Sequence, residues 1–314
     1  MSKYRSALPQ LNGDLFLTDG GLETSLIFHD GFDLPYFAAF DLLKNDDGRD
    51  AIRNYFQPYL KIAKDHGVGF VLESATWRAS SDWAEQLGYT PDALSDANRK
   101  AVEMLREIRD EHETDKTKVV ISGNIGPRGD GYSPDKLMTE DEAERYHSVQ
   151  IGTFANTEAD VITAITMTHA EEAIGVVRAA KAVGMPVVIS FTVETDGKLP
   201  TGQTLKEAIE QVDTATDNGP AYYMINCAHL THFDGALTAG EEWTKRIRGL
   251  RANASALSHA ELDEAEELDE GNPEEFGTQH GELRSAFTHF NVFGGCCGTD
   301  HRHVEKVCKA VAAH

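Results

Sequence analysis

Short apolar runs alternate with amphipathic stretches along nearly the whole chain. Eight runs have the length of strands, and they cover 15–18, 69–73, 119–122, 161–166, 187–193, 222–226, 247–253 and 290–293. Between them, apolar side chains recur every three or four residues, as in a helix with one buried face. Eight strand–helix units favour a (β/α)8 barrel over an open doubly wound sheet. We therefore predict one α/β domain, a TIM barrel over residues 1–314.

Capping residues and a proline refine the expected helix bounds. Thr204 and Glu207 have the spacing of a capping box, which predicts a helix start there. Pro58 falls inside the helical pattern of 51–65. Because proline lacks the N–H that a helix interior needs, we expect a kink or a later start in this stretch.

The composition predicts a globular protein with an acidic surface. Of its 314 residues, 40% are hydrophobic and 26% are charged, which is ample for a core. The net charge of −23 and a pI near 4.9 disfavour nucleic acid and acidic membranes as partners. The acidic segment 259–277 is expected to form a solvated helix and loop.

No targeting or cofactor motif stands out in the pattern. The opening stretch lacks the apolar core of a secretory signal, and no run approaches the length of a membrane span. Four cysteines, two of them adjacent, indicate no disulfide framework and fit a reducing compartment. We expect a cytoplasmic protein, and the pattern leaves its oligomeric state open. The glycines match neither the dinucleotide-binding nor the Walker-type spacing.

Three cysteines stand at the ends of predicted strands. The run AYYMINC ends in Cys227, and NVFGGCCGTD carries Cys296 and Cys297 between glycine pairs. In a barrel, the loops at the carboxyl ends of the strands build the active site, so the three thiols are expected to meet there. Other polar residues at these strand ends are Asp19, Glu73, Thr76 and Asn124.

Three thiolates at one place predict a Zn²⁺ site with one coordination position left open. A substrate thiol that joins them is deprotonated yet keeps much of its electron density, because the site is already anionic. Such a site suits attack by a sulfur nucleophile, and no further acid or base is required. Gly294 and Gly295 are expected to turn the backbone so that adjacent cysteines reach one ion. Cys308, on the final helix, is expected in the core.

Two pairs of histidines are rival ligands, His229 with His232 and His301 with His303. Helix starts and surface loops use such residues more often than metals do. We predict that Thr299 or Asp300 caps the last helix, which leaves the second pair in its first turn. Neither pair is expected to bind the metal.

The motifs DGGLET, INC and GGCCGT resemble the homocysteine S-methyltransferase family over nearly the whole chain. The resemblance implies a zinc-bearing barrel that transfers a methyl group to homocysteine, giving methionine. It also implies that Cys227, Cys296 and Cys297 are the zinc ligands. Asp19 matches a family position that binds the amino-acid end of homocysteine, and Thr76 matches one that lines the homocysteine pocket. Gly20 and Gly21, next to Asp19, are expected to contact the substrate as well.

One residue departs from the family pattern. After strand four the family places a glutamate that holds the substrate's amino group, and here Ile165 stands at that position. A buried isoleucine does not pair with an ammonium. Either another carboxylate substitutes, with Glu73 and Glu194 as candidates, or the acceptor is a different thiol or a selenol.

The methyl donor must be activated, and sulfonium and quaternary ammonium donors are both cationic. S-Methylmethionine, S-adenosylmethionine and betaines qualify, and the lack of a Rossmann motif favours a small one. Aromatic residues that offer cation–π faces at the barrel mouth are Tyr36, Phe37, Trp77 and Trp83. The partners are then a small thiol and a small methyl donor. A zinc-stabilised barrel without turnover is the alternative from another class.

Overall fold

Eight parallel strands close into one barrel in the computed structural model, which describes residues 2–132, 134, 137–265 and 267–313. The strands are β1 Phe16–Leu17, β2 Gly69–Glu73, β3 Val119–Ile125, β4 Val161–Met167, β5 Val187–Phe191, β6 Tyr222–Asn226, β7 Ile247–Ala252 and β8 Val292–Gly295. Each strand pairs in parallel with the next, and β8 pairs with β1. The closed barrel leaves no sheet edge and confirms the predicted fold class.

Long helices follow every strand except β6. They are α1 Asp46–His66, α2 Pro91–His112, α3 Glu140–Ala155, α4 Ala170–Ala182, α5 Leu205–Thr216, α6 Pro273–Ala286 and α7 His301–Val311. Shorter α-helices cover Leu22–Thr24, Ser81–Gln86, Leu230–Phe233 and His259–Asp263, a π-helix covers Ser25–His29, and 3₁₀ turns cover Pro9–Asn12, Pro35–Phe37, Ala39–Lys44, Asp234–Ala236 and Glu242–Arg246. None of the helices in these described ranges has the length and apolarity to cross a membrane.

The start of α1 differs from the prediction. Asn45 caps the helix by accepting a hydrogen bond from the N–H of Gly48, so α1 begins before the proline and runs through Pro58. The expected later start is therefore wrong. The buried Phe56 and Tyr59 flank the proline, and their burial outweighs the single backbone bond that it removes. The capping box of Thr204 is confirmed.

The barrel interior is filled at the amino ends of the strands. Its side chains there are Phe16, Val71, Val120, Val161, Val188, Tyr222, Met224 and Val292. Leu8 and Tyr4, from the segment before β1, pack against this layer. A larger apolar core lies between the strands and the surrounding helices. The polar residues at the carboxyl ends thus face the end of the barrel that is not filled.

The acidic segment predicted as helix and loop is partly ordered against the barrel. It opens with the short helix His259–Asp263, which Ser258 caps, and its last residues begin α6. Leu262 and Leu268 line a cavity at the barrel mouth, so part of the segment is not solvated as expected. Glu266 lies outside the described residues.

The packing of α3 on α4 provides a test of the fold. A Cβ on Gly175 of α4 would lie 2.4 Å from the Cβ of Ala143 and 2.5 Å from the Glu144 nitrogen of α3. Gly175→Ala is therefore expected to lower the free energy of unfolding by about 1–3 kcal/mol. Gly152→Ala is the matched control, because its Cβ meets nothing within 4 Å, and it should stabilise α3 by about 0.5–1 kcal/mol. Urea unfolding measures both, and equal effects would contradict this packing.

Candidate active site

A cavity of about 290 Å³ opens at the carboxyl ends of the strands. Its wall includes residues from the ends of all the strands except β5 and from the acidic segment. Of the residues predicted for the site, those that line the cavity are Asp19, Gly20, Gly21, Glu73, Asn124, Cys227, Cys296 and Cys297. The barrel therefore brings together nearly all of the predicted site.

The three cysteines meet on this wall. Cys227 follows β6, Cys296 and Cys297 follow β8, and their Sγ atoms all lie within 4.8 Å of one another. The structure pairs Cys227 with Cys296 as a disulfide, with 5.5 Å between the Cα atoms, whereas the sequence predicted no disulfide. Two strand ends that bring thiols close enough to share an ion also bring them close enough to bond.

The donor set fits zinc. Zn–S bonds of about 2.3 Å in a tetrahedral site place thiolates about 3.8 Å apart, within the span that the three sulfurs already have. Among the described residues, no histidine or carboxylate joins this group as a fourth ligand. The cysteines border the cavity, so a metal that they held would be accessible from it.

Two left-handed residues shape this wall. Cys227 has φ of 54°, and Thr166 at the end of β4 has φ of 62°. Such values are costly for residues other than glycine and persist where the surroundings fix them. Asn226 does so, since its Oδ1 accepts from the N–H of Thr166 at 2.8 Å and from Ser190 Oγ at 2.6 Å. The strand ends of β4, β5 and β6 are thus tied together beside the cysteines.

Gly294 and Gly295 act through close packing, which corrects the expected turn. Both residues continue β8, and neither has a positive φ. A Cβ on Gly294 would lie 2.0 Å from Thr18 Oγ1, and one on Gly295 would lie 2.0 Å from Thr299 Oγ1. The glycines therefore let β1 and the start of α7 close against the strand that carries the cysteines.

A buried ion pair lies beside the thiols. Asp19 Oδ1 is 2.8 Å from Arg251 Nη2, and Asp19 Oδ2 accepts a hydrogen bond from the Tyr55 hydroxyl at 3.1 Å. Burial raises the pKa of Asp19, and the Arg251 guanidinium opposes that rise. Gly20 and Gly21 pack closely against the segment after β8. A Cβ on Gly20 would lie 2.7 Å from the carbonyl oxygen of Thr299, and one on Gly21 would lie 2.6 Å from that of Cys296. Arg251 was not recognised in the sequence, where it reads as one charge inside a strand.

Ile165, which stands at the position of the family glutamate, lies on the cavity wall. The β4–β5 register shifts between Ala164 and Met167, and the bulge leaves Ile165 on the cavity wall. Of the two carboxylates considered as substitutes, Glu73 lines the cavity. Glu194 is not among the residues that line the cavity, and its Oε1 lies 3.0 Å from His259 Nδ1.

Thr76 differs from its expected place in the pocket. It is fully buried, and its Oγ1 donates to the carbonyl oxygen of Asn124 at 2.7 Å. Its neighbours Ser74 and Trp77 line the cavity instead. Thr76 therefore supports Asn124 from behind the wall.

Two further residues contact the thiol cluster and escaped the sequence analysis. The Tyr132 hydroxyl is 3.2 Å from Cys297 Sγ, and its ring stacks on His259 with centroids 4.1 Å apart. His259 Nε2 lies 2.7 Å from the carbonyl oxygen of Cys227. Tyr132 lies in the loop after β3, and His259 begins the short helix after β7, in the segment predicted as a solvated helix and loop. Neither local pattern indicates a contact with the cysteines.

The four aromatic residues predicted for the donor separate into two groups. Phe37 and Trp77 line the cavity, whereas Tyr36 and Trp83 contact each other outside it, with centroids 5.9 Å apart. The Arg78 guanidinium packs 4.3 Å from the Trp77 ring and 3.9 Å from the Trp83 ring. The Arg78 side chain thus occupies ring faces of Trp77 and Trp83 that were predicted to contact the methyl donor.

The histidines have the roles expected of them. His229 caps the helix Leu230–Phe233, and His232 Nε2 lies 3.0 Å from the carbonyl oxygen of Ala256. Asp300 caps α7, and His303 in its first turn is buried. Cys308 is buried in the core of α7, which confirms its structural role.

Comparisons with known proteins identify the family of the chain. Residues 16–311 match the family model described as "Homocysteine S-methyltransferase". Betaine–homocysteine S-methyltransferase 1 of Rattus norvegicus is 22% identical over 283 residues, which cover 84% of this chain and 64% of that protein. The protein of the same name from Bos taurus is 22% identical over 285 residues, with the same coverage. The chain thus spans less than two thirds of the length of these relatives.

Solved structures show the same fold. The metallated form of the homocysteine methyltransferase MmuM from Escherichia coli is similar with a TM-score of 0.74 at 17% identity, over 96% of both chains. Its oxidised form is similar with a TM-score of 0.74 at 19% identity, over 96% of this chain and 97% of that one.

Glu73 makes the stability depend on pH. Burial raises its pKa from 4.5 to about 7, against the attraction of Arg251. Between these values the folded chain keeps a proton that the unfolded chain releases. The free energy of unfolding is therefore expected to fall as pH rises through this window, by up to about 3 kcal/mol from this group. Glu73→Gln should flatten the fall in urea unfolding, and Glu282→Gln, on the exposed face of α6, should not. Parallel pH profiles for wild type and Glu73→Gln would contradict this assignment.

Proposed function

The chain belongs to the homocysteine S-methyltransferase family, and we propose that it transfers a methyl group from a small cationic donor to the thiol of homocysteine, giving methionine. The observation that carries this proposal is the meeting of three cysteine sulfurs on the wall of one cavity. Family membership supports the acceptor and the type of reaction. The proposal covers this chain, and the additional length of its relatives lies outside it.

We propose that Cys227, Cys296 and Cys297 hold Zn²⁺. When bound, zinc supplies a Lewis acid that lowers the pKa of a coordinating thiol towards neutrality. The chain would supply three sulfurs to the metal and leave it accessible from the cavity that they border. The Tyr132 hydroxyl steadies Cys297, and His259 contacts the carbonyl of Cys227. Since the acceptor proton leaves in this way, the residues need only hold the sulfur and the donor methyl in line.

The lining of the cavity supports a cationic donor. Five acidic residues from the segments after β1, β3 and β7 line the cavity, namely Glu23, Asp130, Asp263, Glu267 and Asp269. Phe28 and Phe37 add apolar surface to the same wall. Negative charge at the entrance attracts a sulfonium or quaternary ammonium and disfavours anionic donors. Among the donors considered, a small one such as S-methylmethionine fits a cavity of about 290 Å³ better than S-adenosylmethionine does.

Two alternatives differ in what they require. A different thiol or a selenol as acceptor is favoured by Ile165, which replaces the family's ammonium-binding carboxylate with an apolar side chain. A zinc barrel without turnover needs a closed site, and the described residues place no fourth ligand near the sulfurs.

The net charge of −23 supports small-molecule partners rather than nucleic acid, and we place the enzyme in the cytoplasm because its thiols need reducing conditions.

Removal of one ligand tests the function. Under reducing conditions the purified chain is expected to bind one zinc per chain and to convert homocysteine to methionine with one of the cationic donors. Cys296→Ala should lose tight zinc binding and reduce methyl transfer by at least about a thousandfold, since a Lewis acid contributes several kcal/mol. Metal analysis and mass detection of methionine measure the two effects. Cys308→Ala is the control, because Cys308 is a buried residue of α7, and it should keep its zinc. Full activity in Cys296→Ala would refute the proposal.

Loss of the contact between Tyr132 and Cys297 is expected to weaken zinc binding less than loss of a ligand does. Tyr132→Phe removes the hydroxyl and keeps the ring that stacks on His259. We expect zinc affinity to fall about tenfold, as for other groups that orient a metal ligand. Competition with a chromophoric chelator measures it. Tyr89→Phe loses a hydroxyl contact to Asp41 away from the cavity, so its zinc affinity should match wild type. An unchanged affinity in Tyr132→Phe would show that the hydroxyl has no role at the metal.

A further inference from the structure

Several buried polar atoms of residues that line the cavity lack hydrogen-bond partners within the described part of the chain, among them Trp77 Nε1 and Arg78 Nε in the segment after β2. Three more lie at strand ends, and they are Arg251 Nη1, Glu73 Oε2 and Asn124 Oδ1. A buried polar atom without a partner costs about 1–3 kcal/mol, so each calls for a ligand or a water molecule. One atom is a donor on a permanent cation, and the other two are acceptors. A ligand that satisfies all three carries an acceptor group and a donor group close together.

Arg251 is fixed so that one nitrogen remains for a ligand. Its Nε donates to the carbonyl oxygen of Gly295 at 3.1 Å, and its Nη2 donates to that of Gly20 at 3.1 Å and pairs with Asp19 at 2.8 Å. The backbone oxygen of Arg251 accepts from the N–H of Cys227 at 3.1 Å. The side chain is thus anchored next to both cysteine-bearing strand ends. A guanidinium with a free nitrogen binds a carboxylate better than any neutral group.

Glu73 and Asn124 lie at the ends of the neighbouring strands β2 and β3. Glu73 pairs in register with Ser122, and Asn124 pairs with Thr163 of β4, two residues before Ile165. The two side chains therefore approach, from the adjacent strands, the part of the wall where the family glutamate is missing. A carboxylate oxygen and an amide oxygen accept hydrogen bonds, and an ammonium offers three donors and no acceptor.

We infer that Arg251, Glu73 and Asn124 form the pocket for the amino-acid end of the thiol acceptor. Arg251 Nη1 binds the carboxylate, and Glu73 Oε2 with Asn124 Oδ1 binds the ammonium in place of the family glutamate. Ile165 then contacts the methylene chain between that end and the thiol. The inference rests on the proposed function and specifies its acceptor as a zwitterionic thiol.

Truncated acceptors test the pocket without altering the protein. 4-Mercaptobutyrate lacks only the amino group of homocysteine, and 3-mercaptopropylamine lacks only the carboxylate. In assays of the zinc-replete enzyme, each is expected to show a kcat/KM at least about tenfold below that of homocysteine, because each leaves a charged partner unpaired. Truncated thiols that react as well as homocysteine would overturn the inference and leave the three atoms to water.

Substitutions assign the two halves of the pocket. Glu73→Gln should raise KM for homocysteine about tenfold while leaving KM for 4-mercaptobutyrate unchanged. Arg251→Lys should lower kcat/KM for homocysteine and 4-mercaptobutyrate at least about tenfold more than for 3-mercaptopropylamine, because the lost strand contacts affect all three thiols and the lost carboxylate contact affects only two. Glu282→Gln on the exposed face of α6 is the matched control for Glu73 and should change none of them. Equal losses with all three thiols would show a merely structural role and refute the assignment.

A binding measurement separates this inference from the proposed function. Calorimetry with methionine and with 4-(methylthio)butyrate needs no turnover. We expect methionine to bind wild type at least about tenfold more tightly than 4-(methylthio)butyrate does, and to lose most of this advantage in Glu73→Gln, where Asn124 alone remains for the ammonium. If no thiol is methylated but this difference holds, the pocket stands and the proposed reaction falls. If methyl transfer occurs but the two ligands bind wild type equally, the pocket falls and the reaction stands.

Discussion

The ion pair between Asp19 and Arg251 is the interaction on which the candidate site depends. It joins the end of β1 to β7. Arg251 also donates to the carbonyl oxygen of Gly295 in β8, and its backbone oxygen accepts from the N–H of Cys227 after β6. Both side chains are buried, so each would be costly without the other. The guanidinium holds the ends of β1 and β8 against β7, and the backbone carbonyl of the same residue binds the N–H of Cys227 after β6. Arg251 therefore contacts both strand ends that carry the cysteines.

The sequence was sufficient for the fold and for the meeting of the three cysteines. Strand lengths, helical spacing and the position of Cys227, Cys296 and Cys297 at strand ends are local signals, and the closed barrel follows from their number and order. The family motifs are local as well, and the match over residues 16–311 confirms the resemblance. These features were predictable because each can be read within a few residues.

The contacts around the thiols were not predictable in the same way. Arg251, Tyr132 and His259 matter through neighbours far away in sequence, and nothing next to them indicates those neighbours. Gly294 was assigned to a turn, although its role is to admit Thr18 from another strand. The same holds for the pairing of Cys227 with Cys296, which depends on how closely two strand ends approach. Three-dimensional proximity at a barrel mouth is a property of the closed sheet and not of any one segment.

The filling of the barrel at its amino end determines from which side the cavity is accessible. Phe16, Tyr222 and their neighbours close that end, and Leu8 packs against them, so the cavity has a floor and communicates with solvent at the opposite end. In the proposed reaction, the thiol and the methyl donor would therefore enter through the same opening, and both products would leave through it. An acceptor held on the wall by Arg251 would have to bind before a donor that covers it. The closed amino end would thus make the proposed two-substrate reaction ordered.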